Sequence, residues 1–484
     1  MKLYEIIKGV ECRLAQASDL EITSLEFDSR KVSAGALFVC QVGVHVDGHL
    51  FIEPAVAQGA VAVLCQRFPD TLHPGVCYIE TADSNKALGT MADNFYGHPS
   101  RQLKLVGITG TNGKTTTVTL LHRLFLMHGQ KVGLISTIEN RIVDEVLPTS
   151  HTTPDALTLN ALLRRMVDAG CSHCFMEVSS HAVVQERIAG LTFAGGIFSN
   201  ITHDHLDFHG TMAHYIAAKR GFFDALPREA FALTNRDDKN GMVMVQNTRA
   251  HVYTYSLQSM ADYRCKIMEN TMQGLHLKLD EHDVWCRLVG KFNAYNLTAI
   301  YATAVLCGIA PDEALLLLSA LQPADGRFQH VDGSGVIAIV DYAHTPDALE
   351  NVISTINEMR QPQQHLIVVV GCGGDRDPLK RPEMARIAAK GCDRLILTSD
   401  NPRSENPDAI LDAMEAGLDN LQLSRTIRIT DRRQAIKSAC LMAKEGDIIL
   451  VAGKGHETYQ EIQGVRHHFD DREEVAYWLQ NKTK

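Results

Sequence analysis

The chain has no surplus of positive charge: 47 Lys and Arg stand against 57 Asp and Glu, a net charge of -10. That balance argues against a basic surface tracking nucleic acid or anionic lipid, so any anionic substrate must be held by local groups. No stretch reaches the ~18 apolar residues that a membrane-spanning helix requires. The opening segment carries Glu5, Glu11 and Asp19 and no long apolar core, so it reads as neither signal peptide nor anchor, and a cytoplasmic protein is expected. Internal repeats and low-complexity segments are missing. The twelve cysteines form no repeating pattern. Cys171 and Cys174 have CxxC spacing around His173, but no second pair follows at zinc-site spacing, and reduced core thiols are the expected reading.

What is present is a long α/β pattern. With 484 residues, 45% of them hydrophobic, the chain has material for two or three cores. We expect three domains, residues 1–100, 101–325 and 326–484. The first alternates short apolar runs such as ALFVC and AVAVLC with polar turns, as a small α/β unit does. From about residue 102, KLVGIT reads as a strand and the segment after Thr115 as a helix with Val118, Leu121, Leu124 and Phe125 on one face. KVGLIST reads as the next strand, completing a βαβ unit and predicting a parallel sheet. CFMEV, GIFSN and FALTN extend that sheet to roughly residue 255, before a more antiparallel stretch and a helix near 296–307. After the junction ADGRF at 324–328, the runs VIAIVDYA, HLIVVVG, RLILTSD and DIILVAG predict a second α/β sheet. Each run ends in glycine or polar residues, and open parallel sheets bind ligands at those carboxyl ends.

The sharpest motif is GITGTNGKTTT at 107–117, between a strand and a helix, where a glycine-rich turn wraps phosphates with backbone N–H groups at a positive helix end. Lys114 would reach the β and γ phosphates and Thr115 would place a hydroxyl on Mg²⁺. The common wording GxxxxGK[ST] would put glycine at 108; Ile108 stands there, and Gly110 and Gly113 flank Thr111 and Asn112 instead. A nucleotide loop by itself fits a GTPase, a motor, a kinase or a ligase. A guanine-reading NKxD motif is absent, the Asn-Lys pairs being NKAL at 85–88 and the terminal NKTK, which disfavours a regulatory GTPase.

Read together with DSR at 28–30, EVSSH at 177–181, DHLDFHG at 204–210, YIAAK at 215–219, FNAYN at 292–296, GRF at 326–328, DYAHTP at 341–346, DNPR at 400–403 and GKGHE at 453–457, this loop resembles the Mur ligase family of peptidoglycan precursor enzymes. The resemblance covers essentially the whole chain. It implies a three-domain α/β architecture with a central P-loop ATPase-like parallel sheet and a C-terminal Rossmann-like domain. It implies an ATP-dependent ligase that adds meso-diaminopimelate to UDP-N-acetylmuramoyl-L-alanyl-D-glutamate through an acyl phosphate, acting as a monomer.

The resemblance assigns Lys114, Lys219 and His205 to catalysis. Gly110, Thr111, Asn112, Gly113, Lys114, Thr115, Thr116, Asn293, Asn296, Arg327 and Asp341 go to ATP, with His344 a weaker candidate. Ser29 and His45 go to the UDP end, and Thr152, Thr153, Ser179, Gln185 and Arg187 to the muramoyl peptide. Two Mg²⁺ ions would take Thr115, Glu177, His205 and a CO₂-derived carbamate on Lys219. Arg381, Asp400, Asn401, Pro402, Arg403, Gly453 and Glu457 go to diaminopimelate.

Without the family, several of these residues have blander readings. His205 reads as a structural histidine, because imidazole is an uncommon Mg²⁺ ligand. Lys219 reads as a solvated helix lysine. HTTPD at 151–155 reads as a helix start with a capping Thr and Pro154 in the first turn, and DNPR as a strand-to-loop turn. At the level of function, the alternatives are the same ligase using L-lysine or another diamino acid, a folylpolyglutamate-synthetase-like ligase, and a non-catalytic ATP-binding regulator. The roughly 100 residues before the phosphate loop speak against the folate enzyme, and the intact set Lys114, Glu177, His205 and Lys219 against the regulator.

Overall fold

The computed structural model describes residues 1–16, 19–43, 46–149 and 151–481. Three main sheets follow one another along the chain. The first has five strands; Leu25–Glu26, Leu37–Val39, Ala62–Cys65 and Cys77–Glu80 run parallel, and Arg13–Ala15 closes the edge antiparallel to Cys77–Glu80. Its strands fall on the ALFVC and AVAVLC runs.

The central sheet has eleven strands. Lys104–Thr109 lies in its middle, parallel to His173–Glu177 on one side and Gly195–Phe198 on the other. Val132–Ile135 continues the parallel order on one flank, and Phe231–Asn235 and His251–Ser256 continue it on the other. Beyond Tyr263–Thr271 the pairing turns antiparallel through Gly274–Leu279 and His282–Cys286, as the sequence predicts. The parallel strands are buried along their length because helices cover both faces. Val118, Leu121, Leu124 and Phe125 of the helix Lys114–Met127 are all buried in one cluster with Val106, Ile108 and Phe175. The helix Lys291–Leu306 has no polar face to speak of, and it is enclosed by Lys114–Met127 and the antiparallel strands.

The third sheet has six strands. Val336–Asp341, Ile448–Ala452, Leu366–Val370, Arg394–Leu397 and Thr426–Arg428 run parallel, with Gln329–Gly333 antiparallel at one edge. A separate hairpin, Tyr459–Ile462 with Val465–His468, lies across the loop that follows Arg394–Leu397 and donates Glu461 N to Asn401 Oδ1 at 2.9 Å. An ion pair between Arg432 and Asp471, both fully buried, ties the last helix, Asp471–Gln480, beneath these strand ends. Among the described residues, no helix is long and apolar enough to cross a membrane.

Candidate active site

Three neighbouring central strands end side by side, and their ends meet around the loop at 107–117. Lys104–Thr109 feeds the loop, His173–Glu177 ends on Glu177, and Gly195–Phe198 is followed by Ser199 and Asn200. Gly113 caps the helix Lys114–Met127 in a left-handed conformation, φ 87°, with no side-chain cap. The first helical N–H groups are therefore left free for an anion. Any Cβ on Gly113 would also overlap Asn296 Oδ1, so both the backbone and the neighbour require glycine. The loop is tied down by Asn200, which accepts from Asn112 N at 3.0 Å, and by Ser199, whose hydroxyl donates to Asn112 O at 2.7 Å.

Lys114 Nζ donates to Gly110 O at 3.0 Å and to Thr111 O at 2.8 Å, and burial lowers its pKa against the pull of Glu177 and Asp204. Glu177 is buried and accepts from Thr115 Oγ1 at 2.8 Å and from Thr137 N at 2.8 Å. Lys219 is not a solvated helix lysine: it is 1% exposed on the helix Met212–Asp224, and its Nζ donates to Gly110 O at 2.7 Å over the Tyr215 ring. Burial, and then the Lys114 cation, push its pKa well below the ordinary lysine value. His205 sits at the start of the short helix Leu206–His209, its ring 5.0 Å from that of His181 and 3.3 Å from Asp204 Oδ2. Desolvation first, and then His181 and the two lysines, hold it down to about 4 although Asp204 pulls the other way.

Do these groups fit a divalent cation? Among the described residues no three His, Cys, Asp or Glu side chains gather to hold a metal alone. The buried Glu177 carboxylate next to the Thr115 hydroxyl is nevertheless a hard oxygen pair at the mouth of a phosphate loop, the donor set Mg²⁺ takes when phosphate oxygens complete its shell. The residues fit the ion in that shared form.

The residues that the family resemblance assigns to the peptide also come together. Thr153 Oγ1 donates to Glu177 O at 2.8 Å and accepts from Ser179 N at 3.1 Å. Thr152 accepts from Thr137 Oγ1 at 3.0 Å. Arg187 donates from Nη1 to Thr153 O at 2.7 Å and from Nη2 to Gln185 Oε1 at 2.6 Å. The helix start read into HTTPD needs correction: Asp155 is the cap, accepting from Leu157 N and Thr158 N, and Pro154 precedes it. A free Thr153 would have suited the cap, but its hydroxyl is spent on the strand end. Ser29 opens a 3-10 turn, Ser29–Lys31, capped by Asp28 in the first domain, while His45 lies outside the described residues.

A cavity of about 480 Å³ opens between the phosphate loop and the C-terminal sheet. Asn112, Gly113, Thr116 and Asn296 line it from one side, and Arg327, Asp341 and His344 from the other. Asn293 does not line it; it is buried behind, donating to Val289 O at 2.8 Å and accepting from Asn296 Nδ2 at 3.1 Å. Arg327 lies over the Tyr342 ring at 4.6 Å with its Nε buried and unpartnered. Asp341 accepts from Phe328 N at 2.7 Å and Ala343 N at 2.8 Å, and burial raises its pKa. Asp347, a residue the motifs did not single out, accepts from Asn112 Nδ2 at 2.7 Å and so ties the phosphate loop to the C-terminal domain.

The strand carrying Asp341 pairs with Ile448–Ala452, and Gly453 N donates to Asp341 O at 3.0 Å, which places the cavity next to the DNPR loop. Gly453 has no room for a Cβ beside Asp400 Oδ2 at 2.5 Å. Asn401 Nδ2 donates to Glu457 Oε2 at 2.8 Å, and Asp400 Oδ1 accepts from Asn401 N at 2.6 Å. Pro402 leads into Arg403, which has φ 50° and donates from Nη1 to Gly374 O at 2.6 Å. Arg381 pairs with Glu405 at 2.7 Å, its Nε buried without a partner. Sequence reasoning also passed over Ser199, Asn200, Thr137 and Lys454; the signal for the first two was their place at the end of GIFSN, beside the loop.

Comparison with known proteins agrees with this arrangement. Three family models match: the Mur ligase family catalytic domain over residues 21–96, the Mur ligase middle domain over 108–304, and the Mur ligase glutamate ligase domain over 326–455. A UDP-N-acetylmuramoyl-L-alanyl-D-glutamate–2,6-diaminopimelate ligase of Cytophaga hutchinsonii is 57% identical over 98% of both chains, and one of Bacteroides fragilis is 52% identical over 98% of both. A solved structure of a ligase of that name has a TM-score of 0.71 at 33% identity, covering 99% of this chain and 98% of its own. An ADP-bound folylpolyglutamate synthase of Mycobacterium tuberculosis shares the fold at TM-score 0.63 and 17% identity, covering 76% of this chain and 91% of its own. From the phosphate loop to the DNPR loop, in sequence and in fold, this chain belongs to the Mur ligase family.

Proposed function

We propose that this chain is an ATP-dependent amide ligase that joins meso-2,6-diaminopimelate to UDP-N-acetylmuramoyl-L-alanyl-D-glutamate. The observation that carries the substrates is the 57% identity, over 98% of both chains, to a ligase named for that reaction. The first-domain match at residues 21–96 favours this reading over a folate ligase, whose solved relative covers only 76% of the chain. ATP binding is supported by the phosphate loop and cavity, and domain boundaries near residues 100 and 325 by the three successive sheets. We read the enzyme as a cytoplasmic monomer.

The chemistry follows from the placement of charge. The substrate carboxylate attacks the γ phosphorus, the bond to ADP breaks, and an acyl phosphate forms. Lys114 and the uncapped helix N-terminus offset the charge gathered on the transferred group, and Arg327, with its free Nε, closes over it from the C-terminal domain. Mg²⁺ bound through Thr115 and Glu177, with His205 and a carbamate on Lys219 at a second position, would supply further charge neutralisation on the phosphates. Thr152, Thr153, Ser179, Gln185 and Arg187 hold the muramoyl peptide beside Glu177. Arg381, Arg403, Asn401 and Glu457 hold the incoming amino acid so that its free amine attacks the acyl carbon. A tetrahedral intermediate forms and phosphate leaves, the amine proton passing to solvent. The contact between Asn112 and Asp347 supports closure of the C-terminal domain over the loop, which excludes water from the acyl phosphate.

The test is a product assay. Incubated with ATP, Mg²⁺, UDP-N-acetylmuramoyl-L-alanyl-D-glutamate and meso-diaminopimelate, the protein should form the tripeptide with one ADP and one phosphate per bond. Phosphate release without a new amide would refute the ligase reading.

A further inference from the structure

Lys454 lies between two of the residues assigned to the incoming amino acid, and its own ammonium is closed off from solvent, with the side chain 0% exposed. Its Nζ donates to Asn401 Oδ1 at 3.1 Å and to Glu457 Oε2 at 3.0 Å, and it lies 5.4 Å from the centre of the Tyr459 ring. Two of its three N–H donors are thus taken by the amide and the carboxylate, and the Tyr459 ring face lies beside the charge. Asn401 in turn donates from Nδ2 to the same Glu457 Oε2 at 2.8 Å, so lysine, amide and carboxylate form a closed triangle. Asn401 Oδ1 accepts also from Glu461 N at 2.9 Å, which joins the triangle to the hairpin Tyr459–Ile462 and Val465–His468.

Two features separate this arrangement from an ordinary stabilising ion pair. A buried lysine–carboxylate pair generally adds little stability over apolar side chains of the same volume, because both charges must be desolvated. Its effect here is on geometry: both donors converge on one oxygen of Glu457, Oε2. The second oxygen keeps its lone pairs for a ligand. The carboxylate is also under pressure to take up a proton, since burial and the nearby Asp400 raise its pKa, and Lys454 opposes this first, with the Asn401 hydrogen bond behind it. Without that cation Glu457 would keep only the Asn401 donor and would lose the charge that favours its ionised form, and a neutral carboxyl is a poor partner for an ammonium.

We infer that Lys454 is a positioning residue for amino-acid selection: it fixes Asn401 and Glu457 so that Glu457 Oε1 meets the distal ammonium of the incoming diamino acid. This rests on the amino-acid site proposed above and goes beyond it by naming the side chain that sets the site's selectivity without touching the substrate.

The experiment compares the wild-type enzyme with Lys454→Met and Lys454→Arg. It uses meso-diaminopimelate and 2-aminopimelate, which lacks the distal amine, with KM for ATP and for the UDP-dipeptide measured alongside. Lys454→Met should raise KM for meso-diaminopimelate about tenfold or more, the loss expected when a charged hydrogen-bond network is opened. Its preference for meso-diaminopimelate over 2-aminopimelate should fall by a similar factor, while the other two KM values stay within about twofold. Lys454→Arg keeps the cation and should recover part of that preference. If the Met variant does not fold, the Arg variant carries the test, with a preference reduced from wild type because the planar guanidinium does not fit both acceptors. An unchanged preference in a folded variant, or a parallel rise of all three KM values, would overturn the assignment of Lys454. Failure of the wild-type enzyme to use meso-diaminopimelate at all would overturn the substrate reading, and this inference with it.

Discussion

Lys114 and Lys219 share one acceptor: their Nζ atoms donate to the Gly110 carbonyl at 3.0 and 2.7 Å. Two ammonium groups on one carbonyl repel each other, and the burial of Lys219 leaves its charge little water to lean on. The arrangement would be relieved by phosphate approaching Lys114 and by the proposed conversion of Lys219 to a carbamate. A neutral amine is the form that adds CO₂, giving a carbamate and releasing a proton, and the lowered pKa of Lys219 enlarges that neutral fraction at neutral pH.

Lys219→Ala should therefore lose activity by about 10²-fold or more, the scale of removing one preorganised charge from such a site. Formate or acetate should restore part of it by filling the vacated anionic position. Turnover of the variant near the wild-type rate, or no rescue by any short carboxylate, would count against the carbamate.

For Lys114→Ala the expectation is loss of product formation by about 10³-fold or more with the fold intact, because the transferred phosphoryl group loses its compensating cation. Circular dichroism and single-turnover product analysis check the two halves. A well-folded variant with near-normal turnover would remove this lysine from the mechanism.

Gly113→Ala tests the loop's geometry. An alanine at φ 87° carries a left-handed penalty of about 1–2 kcal/mol and pushes its methyl group into Asn296 Oδ1. Unfolding free energy should drop by about 1–3 kcal/mol, and the Kd for ATP should rise at least about tenfold. Denaturant titration and calorimetry measure these; unchanged nucleotide affinity would show that the loop tolerates a side chain there.

Much of the scaffold was legible in the sequence. KLVGIT is the strand Lys104–Thr109, and the antiparallel stretch expected after about residue 255 begins one strand later, where Tyr263–Thr271, itself parallel to His251–Ser256, pairs with Gly274–Leu279. What was not legible depends on contacts between distant segments. Helix periodicity sets Lys219 on one face with Tyr215, Phe222 and Phe223, but the acceptor its ammonium meets there, Gly110 O, lies 109 residues earlier and has no signature in the local sequence. A threonine of HTTPD reads as a cap because local sequence cannot show that the Thr153 hydroxyl is committed to Glu177 O, 24 residues away. The Asp347 contact with Asn112 spans 235 residues and two domains, and the contact of Lys454 with Asn401 joins two motifs 53 residues apart.

Stability should also depend on pH through two buried histidines distant from the chemistry. Burial holds His122 and His173 down to about 4. As pH falls through about 6.5 the unfolded chain takes up protons at both while the native state does not, so stability is lost progressively down to about pH 4 and levels off below it. Each would remove on the order of 1–3 kcal/mol across that window. Urea midpoints taken at about pH 7.5 and about pH 5 should differ accordingly, and equal midpoints would mean that both rings are protonated without cost.

The most direct test of the central claim sets meso-diaminopimelate against L-lysine in parallel assays of the wild-type enzyme and Arg403→Ala. Arg403, held in place by Gly374 O and the hairpin, is proposed to meet the second carboxylate of diaminopimelate, which lysine lacks. The wild-type kcat/KM for meso-diaminopimelate should exceed that for L-lysine by about 10³-fold or more, because a site built for that carboxylate leaves buried groups unpaired without it. Arg403→Ala should erase most of that margin while ATP affinity holds. Equal use of the two amino acids by the wild-type enzyme would contradict the account.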